Sequence, residues 1–267
     1  MEPFISPRYR GLLTRHGLNT FSGFWQLPWD WVEDPNERRN GWSGASRHTP
    51  VDSEAGRFSM FVKRQENHNY RSLRHPVRGR PTFFRDFSNI RRMEQMGVPT
   101  VEPVFYGERR EGGKLQAVLA TVALEGYGEL NPLFADSSLA APVRQAILQR
   151  IADAVQLMHR HHLQHNSLSG KHVMVKVGED DTFDLRILDL EKMKPNWRPL
   201  DTAVRDLEKF IRHSPTLTTG EHAEFVRHYT QHWSPAQRRK LVVMINQRMA
   251  GKCSTKGLVA PVIQLSD

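Results

Sequence analysis

HNSLSGKHVMVKVGEDDTFDLRILDLEKMK, residues 165–194, is the stretch whose reading decides the fold. It opens as a polar loop from His165 to His172 and continues as the apolar strand HVMVKV. The acidic turn GEDDT then reverses the chain, and the apolar run LRIL delivers Asp189 at its end. Two apolar runs flanking a glycine and acidic turn predict a β-hairpin. Such a hairpin occurs in any α/β protein, and an aspartate after a strand is often only a turn former. The loop before it carries His165, Ser167 and His172, and Asp189 supplies the hard oxygen that a divalent cation takes.

Other features fall in order around this hairpin. RFSMFVKRQ, residues 57–65, has strand character through Phe58, Met60, Phe61 and Val62, with Lys63 near its end. PTFFRDFSNIRRMEQMG, residues 81–97, spaces Phe83, Phe87, Ile90 and Met93 along one helical face, and Gly97 supplies a C-terminal stop. Asp86 falls on that helix's first turn, where it can pair with Lys63, although an acid there is also plain dipole chemistry. RNGWSGASRH, residues 39–48, reads as a glycine turn in which Gly41 and Gly44 let backbone N–H groups approach a phosphate; the full G-x-G-x-x-G is absent. Two further strands are expected at roughly 101–107 and 115–124, joined by a charged turn ending in Gly112 and Gly113. After the glycine-containing break EGYGELNPL, Val143, Ile147, Ile151, Val155 and Met158 mark a long helix that ends just before His165. Beyond the hairpin, LDTAVRDLEKFIRH offers Asp206 on a helix. Taken singly, Lys63 and Asp206 read as solvated charges; their collinear order is what carries weight.

That order resembles a protein kinase, where H-R-D-L-x-x-x-N runs into a hairpin ending in D-F-G. More narrowly, the chain resembles the lipopolysaccharide kinase family of the Kdo/WaaP and InaA type over roughly residues 38–212. The carrying residues are Lys63 in FVKRQ, Asp86 in RDFSNIRRMEQMG, His165 and His172 in the loop, Asp189 and Glu191 in ILDLEKM, and Asp206 in RDLEKF. The resemblance implies an α+β, two-lobed protein-kinase-like fold. Residues 1–125 would form a small antiparallel β-rich lobe with a Trp-rich extension at its start, and residues 126–267 a mainly helical lobe. It implies ATP- and Mg²⁺-dependent phosphorylation of a sugar of the lipopolysaccharide core. ATP would lie in a cleft between the lobes, with Lys63 on its phosphates, Asp86 orienting Lys63, and Gly41 and Gly44 nearby. Asp189 would hold Mg²⁺, with His172, in the usual Asn position, and Glu191 assisting. His165, Ser167, His172 and Asp189 would form the catalytic set, and a buried Asp206 would accept hydrogen bonds from the catalytic-loop backbone.

One departure bears on activity. Ser167 stands where a kinase has its catalytic aspartate, and a neutral serine takes no proton at physiological pH. Transfer through a loose transition state rests mostly on positioning and charge neutralisation, so losing the base slows a kinase without necessarily abolishing it. His165 or His172 can also take the proton, since imidazole titrates near neutral pH. The competing reading is a pseudokinase that acts as a nucleotide-binding scaffold or regulator.

Composition sets the surroundings. Lysine and arginine number 38 against 29 acidic residues, a net charge of +9. The densest basic stretch, residues 63–80, holds Arg64, Arg71, Arg74, Arg78 and Arg80, whose forks suit a phosphorylated, acidic acceptor or an anionic membrane surface. Nucleic-acid binding ranks third, because no recognisable module accompanies the basic run. The N-terminus has no sustained apolar core and no run reaches a membrane span, so a protein without a secretory signal or spanning segment is expected; the resemblance implies a cytoplasmic place, peripheral on the inner membrane. The single Cys253 excludes an intrachain disulfide and a cysteine-based zinc cluster, and neither H-E-x-x-H nor G-x-S-x-G is present. Trp25, Trp29 and Trp31 are expected to pack on the small lobe. SPAQ at Ser234 predicts a capped helix through about Met249, with a loose tail after Gly251.

Overall fold

The computed structural model describes residues 2–32, 34–38, 41–52, 56–72, 75–255 and 260–265. These fall into two units, Met1–Arg92 with Val101–Glu125, and Met93–Thr100 with Gly126–Asp267. Among the described residues no helix is long and apolar enough to cross a membrane.

The first unit is built on an antiparallel sheet. Its strands are β1 (Phe4–Ile5), β2 (Asn36–Arg38), β3 (Gly41–His48), β6 (Met60–Glu66), β9 (Pro103–Glu111) and β10 (Lys114–Val122), in the order β1-β9-β10-β6-β3-β2. Two small hairpins interrupt the sequence, β4 (Val51–Asp52) with β5 (Gly56–Arg57), and β7 (Asn69–Ser72) with β8 (His75–Pro81). The β9–β10 turn uses Gly112 and Gly113, both at positive φ, which matches the right-handed twist of the strands they join. Short helices α1 (Arg10–Arg15) and α2 (Phe21–Trp25) close one face, where Leu13, Phe24, Val62, Phe105 and Val118 are wholly buried. Phe24 and Phe105 stack at 4.3 Å. Helix α3 (Thr82–Met96) follows β8 and stops at Gly97, whose φ of 72° lets the Val98 N–H turn back onto the Met93 carbonyl.

The second unit contains α4 (Leu130–Ala135), α5 (Ala141–Arg160), α6 (Pro199–Arg212), α7 (Thr219–Tyr229) and α8 (Pro235–Ser254). Its small strands are β11 (Gly128–Glu129), β12 (Leu163–Gln164), β13 (Val173–Val177), β14 (Phe183–Ile187) and β15 (Lys194–Pro195). The apolar stripe of α5, Ile147, Ile151, Val155 and Met158, is buried where α5 meets α6 and α7, and Phe210 and Phe225 pack at 4.6 Å. The hairpin read from the sequence is β13–β14, with Val173 opposite Ile187 and Val177 opposite Phe183. Asp180 and Asp181 take the left-handed conformation in its turn. Residues 93–100 group with this unit because Ile187 N donates to Pro99 O at 3.0 Å and Thr100 Oγ1 to Ile187 O at 2.9 Å.

Two C-terminal expectations change. Helix α8 runs to Ser254, and its start is a complete capping box between Ser234 and Gln237. The tail is also anchored: Ile263 is 1% exposed and exchanges two hydrogen bonds with the Asn246 side chain.

Candidate active site

Strand alternation sorts the residues around Lys63. Lys63 and Gln65 point to one face of β6, and Val62 and Arg64 to the other. Gln65 is wholly buried, and its Oε1 accepts from Phe83 N at 2.9 Å and from Thr82 Oγ1 at 2.8 Å. A side chain of the lysine strand therefore satisfies the open N-terminus of α3. The helix consequently begins at Thr82, and Asp86 lies one turn further in than the first-turn position read from the sequence. Lys63 Nζ stands 2.8 Å from Asp86 Oδ2, with the carboxylate buried and the lysine a third exposed. The pair fixes the ammonium against the buried carboxylate.

Arg64, on the opposite face, does not reach out to an acceptor. It is 0% exposed and donates to the carbonyls of Leu27 (2.6 Å) and Pro28 (2.7 Å) and to Ser46 Oγ (3.0 Å). Its guanidinium lies 4.2 Å from the Trp29 ring centre and 5.3 Å from that of Trp31, so it pins the tryptophan cluster. Burial lowers its pKa to about 10, which leaves it charged at neutral pH. Arg80 is likewise engaged, 2.6 Å from Glu108 and over the Phe84 ring. Arg71 is exposed; Arg74 lies outside the described residues, as does the side chain of Arg78.

The glycine turn is also corrected. Gly41 and Gly44 belong to β3, which pairs with β6 from Trp42 to His48. A Cβ on Gly41 would come 2.5 Å from the Asn67 backbone, and one on Gly44 2.6 Å from the Trp31 ring. Both glycines make room for neighbouring protein. Residues 39–40 lie outside the described residues.

In the second unit, Asp206 is 0% exposed on α6. Its Oδ2 accepts from His165 N at 2.6 Å and its Oδ1 from Asn166 N at 2.9 Å. His159 donates from Nε2 to Oδ2 at 3.1 Å and accepts at Nδ1 from Tyr229 Oη at 2.8 Å. Burial opposes the Asp206 charge, yet the His159 bond and the other donors hold its pKa below the ordinary carboxylate value. One turn along, Lys209 Nζ donates to Asn166 O at 2.5 Å. The loop is thus gripped by one helix at three backbone atoms.

His165 is wholly buried. Ser167 N donates to its Nδ1 at 3.1 Å, so the proton sits on Nε2, which donates to Leu188 O at 3.0 Å. Burial lowers its pKa and the ring stays neutral with both nitrogens occupied. No lone pair remains for a substrate proton, which removes His165 as an alternative base. Its place is to tie the loop to the segment that delivers Asp189. His172 differs: Nδ1 donates to Ser167 O at 2.7 Å and lies 3.6 Å from Asp189 Oδ2, which leaves the lone pair on Nε2. Asp189 itself has φ 58° and ψ 58°, a conformation uncommon outside glycine and asparagine or aspartate.

The three-residue metal set is not assembled. Among the described residues no three His, Cys, Asp or Glu side chains converge on a metal position, so Glu191 does not join Asp189 and His172. Mg²⁺ fits nonetheless, because it keeps several waters and takes one or two carboxylates together with substrate phosphates, and Asp189 offers such a carboxylate. An imidazole nitrogen is a less natural ligand for it.

Ser167, His172 and Asp189 line one cavity of about 480 Å³, whose walls also carry Lys171, Lys192, Lys209 and Arg212. Asp189 is the single carboxylate there among the described residues. Sequence reasoning passed over these four cations. Lys209 had a readable signal, since it follows Asp206 by three and shares its helix face; Lys171 and Lys192 look like any solvated lysine.

A profile of the lipopolysaccharide kinase (Kdo/WaaP) family matches residues 22–229. Protein InaA of Escherichia coli (strain K12) is 33% identical over 202 residues, covering 73% of this chain and 89% of that protein. The matched span runs from before β2 to the end of α7 and takes in Lys63, Asp86, the loop with Ser167, Asp189 and Asp206. The chain therefore belongs to the lipopolysaccharide kinase (Kdo/WaaP) family and has a kinase-like role, on an α+β fold with an antiparallel-sheet unit and a helical one.

Proposed function

We propose that the protein transfers the γ-phosphoryl group of ATP to a hydroxyl of an acidic lipopolysaccharide-core sugar. The observation that carries this reading is the grip of Asp206 and Lys209 on residues 165–166, which holds Ser167 and His172 on the wall that also carries Asp189. Phosphoryl transfer depends chiefly on such fixed positioning and on charge neutralisation. Lys63, oriented by Asp86, would neutralise nucleotide phosphates. Asp189 would hold Mg²⁺, which when bound offsets the charge on the phosphates. Ser167 has no basic group, so His172 Nε2 would accept the proton of the acceptor hydroxyl. Lys171 and Lys192 would attract the acidic acceptor, in place of Arg64 and Arg80, which are engaged within their own unit. The same reading puts the protein at the cytoplasmic face of the inner membrane.

Ser167 favours the second reading, a pseudokinase that binds nucleotide and serves as a scaffold. Calorimetric titration with ATP, with and without Mg²⁺, on wild type, Lys63→Ala and Asp189→Ala tests the shared part. Metal-dependent binding lost in both variants supports it; no binding at millimolar ATP sinks both readings. Labelled phosphate moving onto core sugars, and slowed in His172→Gln, selects the enzyme. Binding without transfer to any core sugar selects the scaffold.

A further inference from the structure

Behind the loop that carries Ser167 lies a second cavity, of about 170 Å³, walled by α6, α8, Gln164 and Asn166. Five cationic side chains line it: Arg205, Lys209 and Arg212 from α6, and Arg248 and Lys252 from α8. Two carboxylates face the same space, and both are already committed. Asp206 is taken up by the loop backbone and His159. Glu208, 2% exposed, accepts Arg212 Nε on Oε1 at 2.5 Å and Arg248 Nε on Oε2 at 3.3 Å. Arg205 uses only its Nε, on the surface carboxylate of Asp201 at 2.8 Å. The terminal NH₂ groups of Arg205 and Arg248 and the ammonium of Lys252 have no hydrogen-bond partner among the described residues.

A half-enclosed space with this excess of cations carries a repulsion that an anion relieves. Burial, then the charges of Lys192 outside this cavity and of Arg212 within it, lower the Lys209 pKa. The cavity is smaller than the roughly 300–1,000 Å³ of pockets for drug-sized ligands, which excludes a nucleotide or an oligosaccharide. A single tetrahedral oxyanion fits, and paired guanidinium forks with lysine point charges are the groups that hold one. We propose that this cavity binds one phosphate group, either inorganic phosphate or the terminal phosphate of a phosphomonoester, at a position separate from the nucleotide and the acceptor. Its placement gives it a lever. Lys209 and Arg212 line both cavities, and Lys209 holds the carbonyl of Asn166, the residue before Ser167. An anion that draws Lys209 toward it loosens that hold.

Calorimetric titration of the full chain with sodium phosphate, at ionic strength matched with sodium chloride, tests the site. Wild type is expected to bind saturably at one site. Lys252→Glu and Arg205→Ala, both at exposed positions, are expected to lose about tenfold or more in affinity, the worth of one charge-assisted hydrogen bond. Mg²⁺ and ATP titrated into the same variants should change by less than about twofold. Glycerol 3-phosphate separates the two sources: binding as strong as phosphate makes the ligand a phosphomonoester, and binding of phosphate alone makes it the free ion. The site is overturned by phosphate that binds both variants as it binds wild type, by displacement of phosphate mole for mole by ATP, or by no saturable binding. Because ATP is titrated separately, a chain that binds phosphate but no ATP would fail the kinase reading and keep this site.

Discussion

Asp206 and His165 hold the loop of residues 165–172 from two sides, and both do so in one protonation state. Replacing Asp206 with Ala strands the N–H groups of His165 and Asn166 and the Nε2–H of His159. At about 1–3 kcal/mol for each buried donor left unpaired, the loss should be roughly 3 kcal/mol or more. Asp206→Asn keeps an acceptor and should recover part of it, as read from urea midpoints. The pKa directions fix a pH dependence as well. His165 and the buried His222 both have pKa values lowered by burial, so between the unfolded value near 6.5 and the lower folded value the unfolded chain binds the proton first. Stability is full above that window and falls as pH drops through it, by up to about 1.4 kcal/mol per pH unit for each histidine. Asp206, with a depressed folded pKa, adds a loss at still lower pH, below its unfolded value near 3.9. Urea unfolding between about pH 7.5 and about pH 5.5 should show the first fall, and His165→Gln should flatten it by up to one proton; an unchanged slope in the variant would count against the assignment. Lys63, Asp86, Asp189 and Asp206 were legible because each sits at a set place relative to a strand or helix. Arg64 was not, because a basic run says nothing about which side of a strand each arginine faces.

At the scale of elements, periodicity exposed the β13–β14 hairpin, α3, α5 and the β9–β10 pair, since one buried face imposes a repeat of two or 3.6. It misread β3, because glycine and serine in sequence look like a loop when the reason for the glycines lies on other strands and a distant tryptophan. Gly44→Ala distinguishes the two meanings. The new Cβ would meet Trp31 at 2.6 Å, and Trp31 is in ring contact with Trp29 at 5.1 Å and Trp42 at 5.7 Å. Overpacking of this kind costs about 1–3 kcal/mol, so the urea midpoint should drop and tryptophan fluorescence should shift, with ATP affinity unchanged. A glycine that touched phosphate would give the reverse: weaker ATP binding on an intact fold. The end of α8 was underestimated for a related reason, because the bonds between Asn246 and Ile263 are made across 17 residues and leave no local pattern.

Over the whole molecule, the order of parts along the chain was legible, and the grouping of residues 93–100 with the second unit was not, since it comes from non-local bonds to Ile187. The excess of basic charge complicates any test with a nucleotide, because a chain of net charge +9 attracts ATP whether or not a site exists. Thermal unfolding separates the two cases. A ligand that binds only the folded chain stabilises it by about 2.7 kcal/mol at a hundredfold excess over Kd. At roughly 2–4 °C per kcal/mol for a chain of this size, Mg²⁺ and ATP together should raise the Tm by about 5–10 °C. On the proposed function this shift requires Lys63 and Asp189, so Lys63→Ala and Asp189→Ala should abolish it, and ATP without Mg²⁺ should give less. Diffuse attraction to surface charge would behave otherwise: it would survive both substitutions, ignore the metal, and fade as added salt shortens the screening length from about 10 Å at 0.1 M toward about 3 Å at 1 M. A shift of that second kind would leave the family fold in place and remove nucleotide binding from the account of what this chain does.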